Sequence, residues 1–301
     1  MTTARPPMVT AREAPSRPKV VYIMGAGRSG STILGVSLGN CADLVYAGEL
    51  DKWPARSGRP AAPGAEQERF WGAVRSRLDG TREGLGPGAR SIDRSSALFR
   101  LRDLRRRRRV RPCYRRNAAA LYRAVAVTAG VGRIVDTSHY PLRARELQAL
   151  SDIDLYLVLL VRDPHGVVAS FGRRDVPEPT FGVLKTNAYL WLTHLLSLWV
   201  FLHHSRERRM LVRYEDFVAC PQETVARILA LVGSNSALPD FSSLKVGVPF
   251  VGNRLARGDE TLAIRGQPGP RPRRSPVTSL LQLPWIPTFS LLERRRRAAQ
   301  T

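Results

Sequence analysis

Lysine is almost missing from this chain. Of its 48 basic residues only Lys19, Lys52, Lys185 and Lys245 are lysine, and the rest are arginine. Against 25 acidic residues this leaves a net charge of +23. An arginine skew follows from coding composition as readily as from function, so where the arginines cluster carries more than their total. Cysteine is scarce too. Cys41, Cys113 and Cys220 are odd in number and far apart, and no Cys-x-x-Cys or Cys/His spacing of a zinc site is present. They read as reduced thiols of a cytoplasmic protein, and no metal is expected. Residues 1–18 are polar, rich in Pro, Arg and Thr, and hold no apolar run. They read as a disordered arm, not a secretory leader. Long hydrophobic runs are absent as well. The nearest is 188–202, AYLWLTHLLSLWVFL, interrupted by Thr193, His194 and Ser197 and shorter than the roughly 18 clean apolar residues of a span. A buried helix flanking a sheet is the better reading.

What is present is ordinary for a globular protein, with 43% hydrophobic and 24% charged residues. Lys19–Met24 is a short β-branched run that suits a buried strand, and Thr32–Leu38 opens an apolar helix. Leu155–Val161, LYLVLLV, is continuous and apolar, as a central parallel strand is. Around it strands and helices alternate. A strand at Arg133–Val135 precedes a helix at Pro141–Ala149, helices follow at Pro164–Phe171 and Asn187–His204, then a strand at Met210–Arg213 and a helix at Glu223–Val232. This alternation predicts an α/β fold, a three-layer α/β/α arrangement around a central parallel sheet. One domain is expected over 19–262. Within it 52–130 is a variable, partly helical insertion, helical at Glu66–Leu78 and Ala118–Thr128. That insertion carries the basic block Arg100–Arg116, which reads as a mobile segment. Residues 263–301 form a Pro/Arg-rich tail.

Directly after the first strand comes Gly25-Ala26-Gly27-Arg28-Ser29-Gly30-Ser31-Thr32. Glycines let the backbone turn tightly and aim its N–H groups inward, and the next helix adds its positive end. The product is a cradle for an oxyanion. Gly25, Gly30 and Thr32 keep the spacing of the nucleoside-triphosphate loop G-x-x-x-x-G-K-[ST]. Its lysine, which reaches the β- and γ-phosphates, is here Ser31, and this argues against ATP or GTP hydrolysis. The dinucleotide pattern G-x-G-x-x-G is matched by Gly25, Gly27 and Gly30. No acidic residue clearly caps a second strand about 20 residues on, as that pattern requires.

The run GAGRSGSTIL resembles the 5′-phosphosulfate loop of sulfotransferases that use 3′-phosphoadenosine 5′-phosphosulfate (PAPS). A second segment, Val161-Arg162-Asp163-Pro164 through Ala169-Ser170, resembles the same family's 3′-phosphate motif, in which an Arg and a Ser eight positions later grip the phosphate. Asp136-Thr137-Ser138-His139-Tyr140-Pro141-Leu142-Arg143, Arg213-Tyr214-Glu215-Asp216-Phe217 and Val251-Gly252-Asn253-Arg254 with Arg257 resemble three further segments. The likeness covers roughly 19–260 but rests on these five islands. It implies a P-loop-like phosphosulfate-binding loop, PAPS as co-substrate without a metal, and transfer of a sulfuryl group to a hydroxyl or amine of a small-molecule or glycan acceptor.

Roles follow from the resemblance and from what the residue types can do. Gly27, Arg28, Ser29, Gly30, Ser31 and Thr32 would hold the phosphosulfate. Arg162 and Ser170 would hold the 3′-phosphate, since a guanidinium and a hydroxyl make a phosphate clamp. Arg254 or Arg257 would close over it, the alternative being tail charge. Tyr214 either contacts the nucleotide or packs at a strand end. Arg143 is a second basic clamp or a solvated helix-face arginine. Where the family has lysine this chain has His139, so His139 keeps a weaker donor role or that role has moved. The base is Glu49 or His139, with Glu49 favoured; the alternative for Glu49 is a helix cap. Rival readings are a nucleic-acid-binding protein, prompted by Arg105–Arg109, a small-molecule kinase, and a non-catalytic member of the fold. Neither nucleic acid nor a membrane is the favoured partner. Trp53, Phe70 and Trp71 mark an aromatic acceptor face or a small core cluster.

Overall fold

Alternate side chains of the apolar runs enter two different cores, and this sets the architecture. The computed structural model describes residues 17–60, 64–78, 92–93, 101–172, 182–251, 261–264, 274–285, 287–289 and 291. Five parallel strands, β1 (Lys19–Gly25), β2 (Leu44–Gly48), β3 (Arg133–His139), β4 (Asp154–Val161) and β5 (Arg209–Arg213), form one sheet in the order β2-β3-β1-β4-β5. On β4, Leu155, Leu157, Leu159 and Val161 face one core, and Tyr156, Val158 and Leu160 face the other. On β1, Val20, Tyr22 and Met24 oppose Val21 and Ile23 in the same way. A strand covered on both faces has no polar side, which is why LYLVLLV is unbroken.

Helices α1 (Ser31–Gly39), α2 (Ala65–Ser76), α3 (Leu101–Ala129), α4 (Pro141–Leu147), α5 (Pro164–Phe171), α6 (Val183–Leu202), α7 (Tyr214–Ala219), α8 (Pro221–Leu231) and α9 (Pro276–Leu281) surround the sheet. The first core takes the inner faces of α2, α3 and α6 with Trp285 and Phe289, and the second takes α1, α7 and α8. A two-stranded antiparallel ribbon, β6 (Leu244–Lys245) with β7 (Thr261–Leu262), lies against the second. The three-layer α/β/α expectation holds.

Three local expectations change. The arginine block is no mobile insertion: from Leu101 it belongs to the 29-residue helix α3, which runs through Pro112. β2 was not anticipated, and β3 continues to His139, well past Val135. With β2 ending at Gly48, Glu49 does follow a second strand, so the acid that the dinucleotide pattern asks for has a counterpart. Strand order excludes that fold instead, because β3 lies between β1 and β2, where the dinucleotide fold pairs its first two strands directly. Trp53 and Trp71 are core, 6% and 0% exposed, with ring centroids 5.6 Å apart and Phe250 5.0 Å from each. The three cysteines are free thiols. The expected arm at 1–18 falls almost wholly outside the described residues, as do Arg254, Arg257 and most of the 263–301 tail.

Candidate active site

From β1 the chain builds first to one side of the sheet, through β2 and β3, and then crosses to β4 and β5 on the other. In open α/β sheets ligands dock in the crevice outside the strand ends at such a reversal. The loop after β1 and the residues after β4 both lie there.

In the loop, Arg28 has φ 67° and Gly30 φ 94°. Left-handed residues between right-handed ones turn successive N–H groups to one side, making a concave anion nest. Gly30 is required twice over. Its φ suits glycine, and a Cβ there would lie 2.3 Å from Cδ2 of Tyr214. Ser29 is 1% exposed, and its Oγ has no hydrogen-bond partner. A buried hydroxyl without a partner is costly unless a ligand meets it, so the cradle fits an oxyanion. The Gly27 N–H donates to Tyr189 Oη of α6 at 2.8 Å. The hydroxyl of Thr32 bonds Tyr46, whose Oη also lies 3.2 Å from Thr137 Oγ1.

Arg162 follows β4 and reaches back to the loop. Its Nη1 donates to the Arg28 carbonyl at 2.9 Å, and its guanidinium lies 4.4 Å from the Tyr214 ring centroid. Arg28, Gly30, Arg162 and Tyr214 thus form one contiguous group. Arg28 also sits 5.9 Å over the ring of Phe171. Asp163 is structural: its Oδ1 accepts from the His165 N–H, capping α5. Ser170 lies half-buried in the last turn of α5.

A second group stands at the ends of β2 and β3. The Glu49 N–H donates to the Val251 carbonyl at 2.8 Å, and its side chain makes no cap for the short 3-10 turn Leu50–Lys52. Its Oε2 is 3.9 Å from Lys52 Nζ, which is 2.9 Å from Asp51 Oδ2 and 5.5 Å over the Tyr140 ring. Burial works against the Lys52 charge, but Asp51, Tyr140 and Glu49 together push its pKa up. His139 has φ 53°, pairs in register with Met24 at the end of β1, and lies against Tyr140 with ring centroids 4.4 Å apart. Burial lowers its pKa, with Lys52 adding to the effect and Asp51 opposing it.

Arg143 is neither exposed nor part of the oxyanion cradle. It is 3% exposed, donating to Tyr114 Oη at 2.6 Å, Tyr122 Oη at 3.2 Å and Asp136 Oδ2 at 3.4 Å. Asp136 in turn accepts from the Ser138 N–H at 2.8 Å, and Ser138 Oγ accepts from the Asp51 N–H at 3.0 Å. Arg143 therefore anchors the strand end that carries His139.

Three residues at this site escaped sequence reasoning. Lys52 had one signal, its rarity in a chain that otherwise uses arginine. Tyr189 sits inside an apolar helix with nothing to mark it. Gly166, whose added Cβ would stand 3.0 Å from Arg162 Nε, is a glycine of α5 with no turn to explain it.

Comparison with known proteins adds a family and a fold. The model described as "Sulfotransferase family" matches residues 18–236. No curated protein sequence matches the chain. The sulfotransferase domain from the curacin biosynthetic pathway is similar at TM-score 0.54 and 16% identity, covering 90% of this chain and 98% of its own. For the sulfotransferase domain from the Synechococcus PCC 7002 olefin synthase the values are 0.48, 20%, 91% and 98%. A sulfotransferase from Alicyclobacillus acidocaldarius matches at 0.38 and 19%, over 74% and 84%.

Proposed function

The chain belongs to the sulfotransferase family, and from this we propose that it takes PAPS as donor and passes the sulfuryl group to a hydroxyl or amine of a small-molecule or glycan acceptor. The observation that carries the donor is the bond from Arg162 to the Arg28 carbonyl. It ties the oxyanion cradle after β1 to the basic residue after β4, so both face one crevice. A nucleotide phosphorylated at both 3′ and 5′ positions needs two such sites.

When bound, PAPS supplies a sulfuryl group already joined to a leaving phosphate. The chain supplies charge and position. The Arg28 guanidinium and the N–H groups of Ser29 to Thr32 oppose charge on the transferring group and the leaving oxygen, where fixed donors are worth most. The Ser29 hydroxyl gains the partner it lacks. Arg162 and Ser170 hold the 3′-phosphate, with Tyr214 fixing the Arg162 plane. Arg254 or Arg257 takes the closing role that the resemblance gives. Glu49 is the base that accepts the acceptor's proton, and the low pKa of His139 leaves that residue neutral beside it. Lys52, next to the His139–Tyr140 pair, brings the ammonium that His139 cannot. Arg143 serves by positioning, through Asp136 and Ser138, and not as a clamp. Glu49→Gln assayed beside His139→Asn separates the two bases, since only the true one slows turnover about a hundredfold.

Calorimetry with 3′-phosphoadenosine 5′-phosphate, AMP and ATP tests the donor. Binding should need the 3′-phosphate, with AMP at least about tenfold weaker, the worth of a charge-assisted phosphate contact. Equal affinity for AMP would remove the Arg162/Ser170 assignment. Tighter binding of ATP with turnover would return the chain to the kinase reading.

A further inference from the structure

Helix α6 flanks the sheet as its sequence predicts, but one side of it keeps large apolar side chains exposed. Leu184, Trp191, Leu195, Trp199 and Leu202 are among the exposed large apolar side chains, from 38% at Trp191 to 69% at Leu184. Their spacing places all five on one face, a stripe about 27 Å long at the rise of an α-helix. Beside it stand Leu280 and Leu283, 73% and 64% exposed, where α9 packs on α6 and Trp191 Nε1 donates to the Leu281 carbonyl at 2.5 Å. Scattered exposed leucines need no explanation, whereas a contiguous apolar face does.

A second stripe runs along α3. Arg105, Arg109, Arg116 and Arg123 are exposed and share one helical face, again about 27 Å long. Among the described residues none of the four is paired with a carboxylate. α3 and α6 bury their inner faces in the same core over the same side of the sheet, so both stripes turn outward from one layer. α4 lies between them, touching both. Its exposed Arg145 sits 5.5 Å over the Trp199 ring and adds a cation beside the α6 stripe. The face is also poor in acid. α6 and α9 contain none, and Glu146 of α4 is buried beneath three arginines.

We propose that this face docks on the surface of an anionic lipid bilayer, with the α6 stripe entering the headgroup–acyl boundary and the α3 arginines against anionic headgroups. Tryptophan and leucine beside a cationic stripe are what such a boundary accepts. A second copy of the chain is the poorer occupant, because it would bring another surface of a +23 molecule against this one. The contact lies in the plane of the surface, since among the described residues no helix is long and apolar enough to cross.

Flotation of the full chain with phosphatidylcholine vesicles, with and without phosphatidylglycerol, tests this. Binding is expected only with phosphatidylglycerol, together with a blue shift of tryptophan emission as Trp191 and Trp199 leave water. The Leu184→Glu/Leu195→Glu variant should lower the bound fraction about tenfold or more with an unchanged melting temperature. Leu195→Gln alone, with a smaller loss, serves if the double variant melts early. Absence of flotation overturns the proposal. So does wild-type flotation by the variants, which would mean that net charge alone attracts the chain. Sedimentation of the wild type as a dimer that Leu195→Gln dissolves would assign the stripe to a second copy instead.

Discussion

A single hydrogen atom decides how closely Arg162 approaches the helix that follows it. Gly166 stands in the first turn of α5, and a Cβ there would meet Arg162 Nε at 3.0 Å. Arg162 is held elsewhere by the Arg28 carbonyl and the Tyr214 ring, so it yields only by giving up one of them. Helix propensity favours alanine over glycine by about 1 kcal/mol. Gly166→Ala should therefore leave the melting temperature within a few degrees while displacing the guanidinium. We expect about tenfold weaker binding of 3′-phosphoadenosine 5′-phosphate and unchanged binding of AMP, measured by calorimetry. An equal loss for both nucleotides would mean that the cradle moved, and not the 3′-phosphate contact.

At the scale of one element, α3 should not be stable by its own sequence. Arg105 to Arg109 place like charges at neighbouring positions, and Pro112 removes a backbone bond at a cost of about 3 kcal/mol. What offsets this lies on α4. Arg107, Arg111 and Arg115, one turn apart, reach Glu146 at 3.1, 3.1 and 2.8 Å. Glu146 is 2% exposed and Arg107 6%. Glu146→Ala strands a buried guanidinium and should cost about 3 kcal/mol or more, read by urea unfolding. A loss under about 1 kcal/mol would show that the apolar face through Leu121 and Val125 holds α3 alone. The same clamp explains the limits of sequence reading. β4 was legible because burial on both faces writes itself as an unbroken apolar run. The oxyanion cradle was legible because its residues are consecutive. The arginine block was not, because the acid that orders it is 31 or more positions away and charge masks the helical period. β2, LVYAG, was missed as a five-residue edge strand. Arg143 carries no local sign of burial, since the two phenols that hold it belong to α3. Tyr189 reaches the site from α6, which only the fold brings there, and Lys52, three residues past Glu49, was marked by nothing but its rarity.

For the molecule as a whole, acid should be felt through buried imidazoles, and most strongly through His194. His194 of α6 is 4% exposed, with ring centroids 5.6 Å from Trp285 and 5.1 Å from Phe289. These residues of the C-terminal segment close the first core over the helix. Its Nδ1 has no partner, and burial alone pushes its pKa down to about 4. In the unfolded chain the imidazole titrates near 6.5. Between those values the unfolded state binds a proton that the folded state refuses, so stability is complete above about pH 6.5 and falls as pH drops toward 4. The full span is on the order of 3 kcal/mol, of which a shift to about pH 5 draws roughly 2. Self-repulsion in a +23 chain adds to acid instability only as carboxylates protonate, mostly below that point. His194→Leu orphans no hydrogen bond and removes the titration. Urea unfolding at about pH 7.5 and about pH 5 should show the wild type losing roughly 2 kcal/mol more than the variant. A variant whose stability falls as steeply as the wild type would place the acid sensitivity elsewhere, with His139 and His204, whose pKa values burial also lowers, as the next candidates.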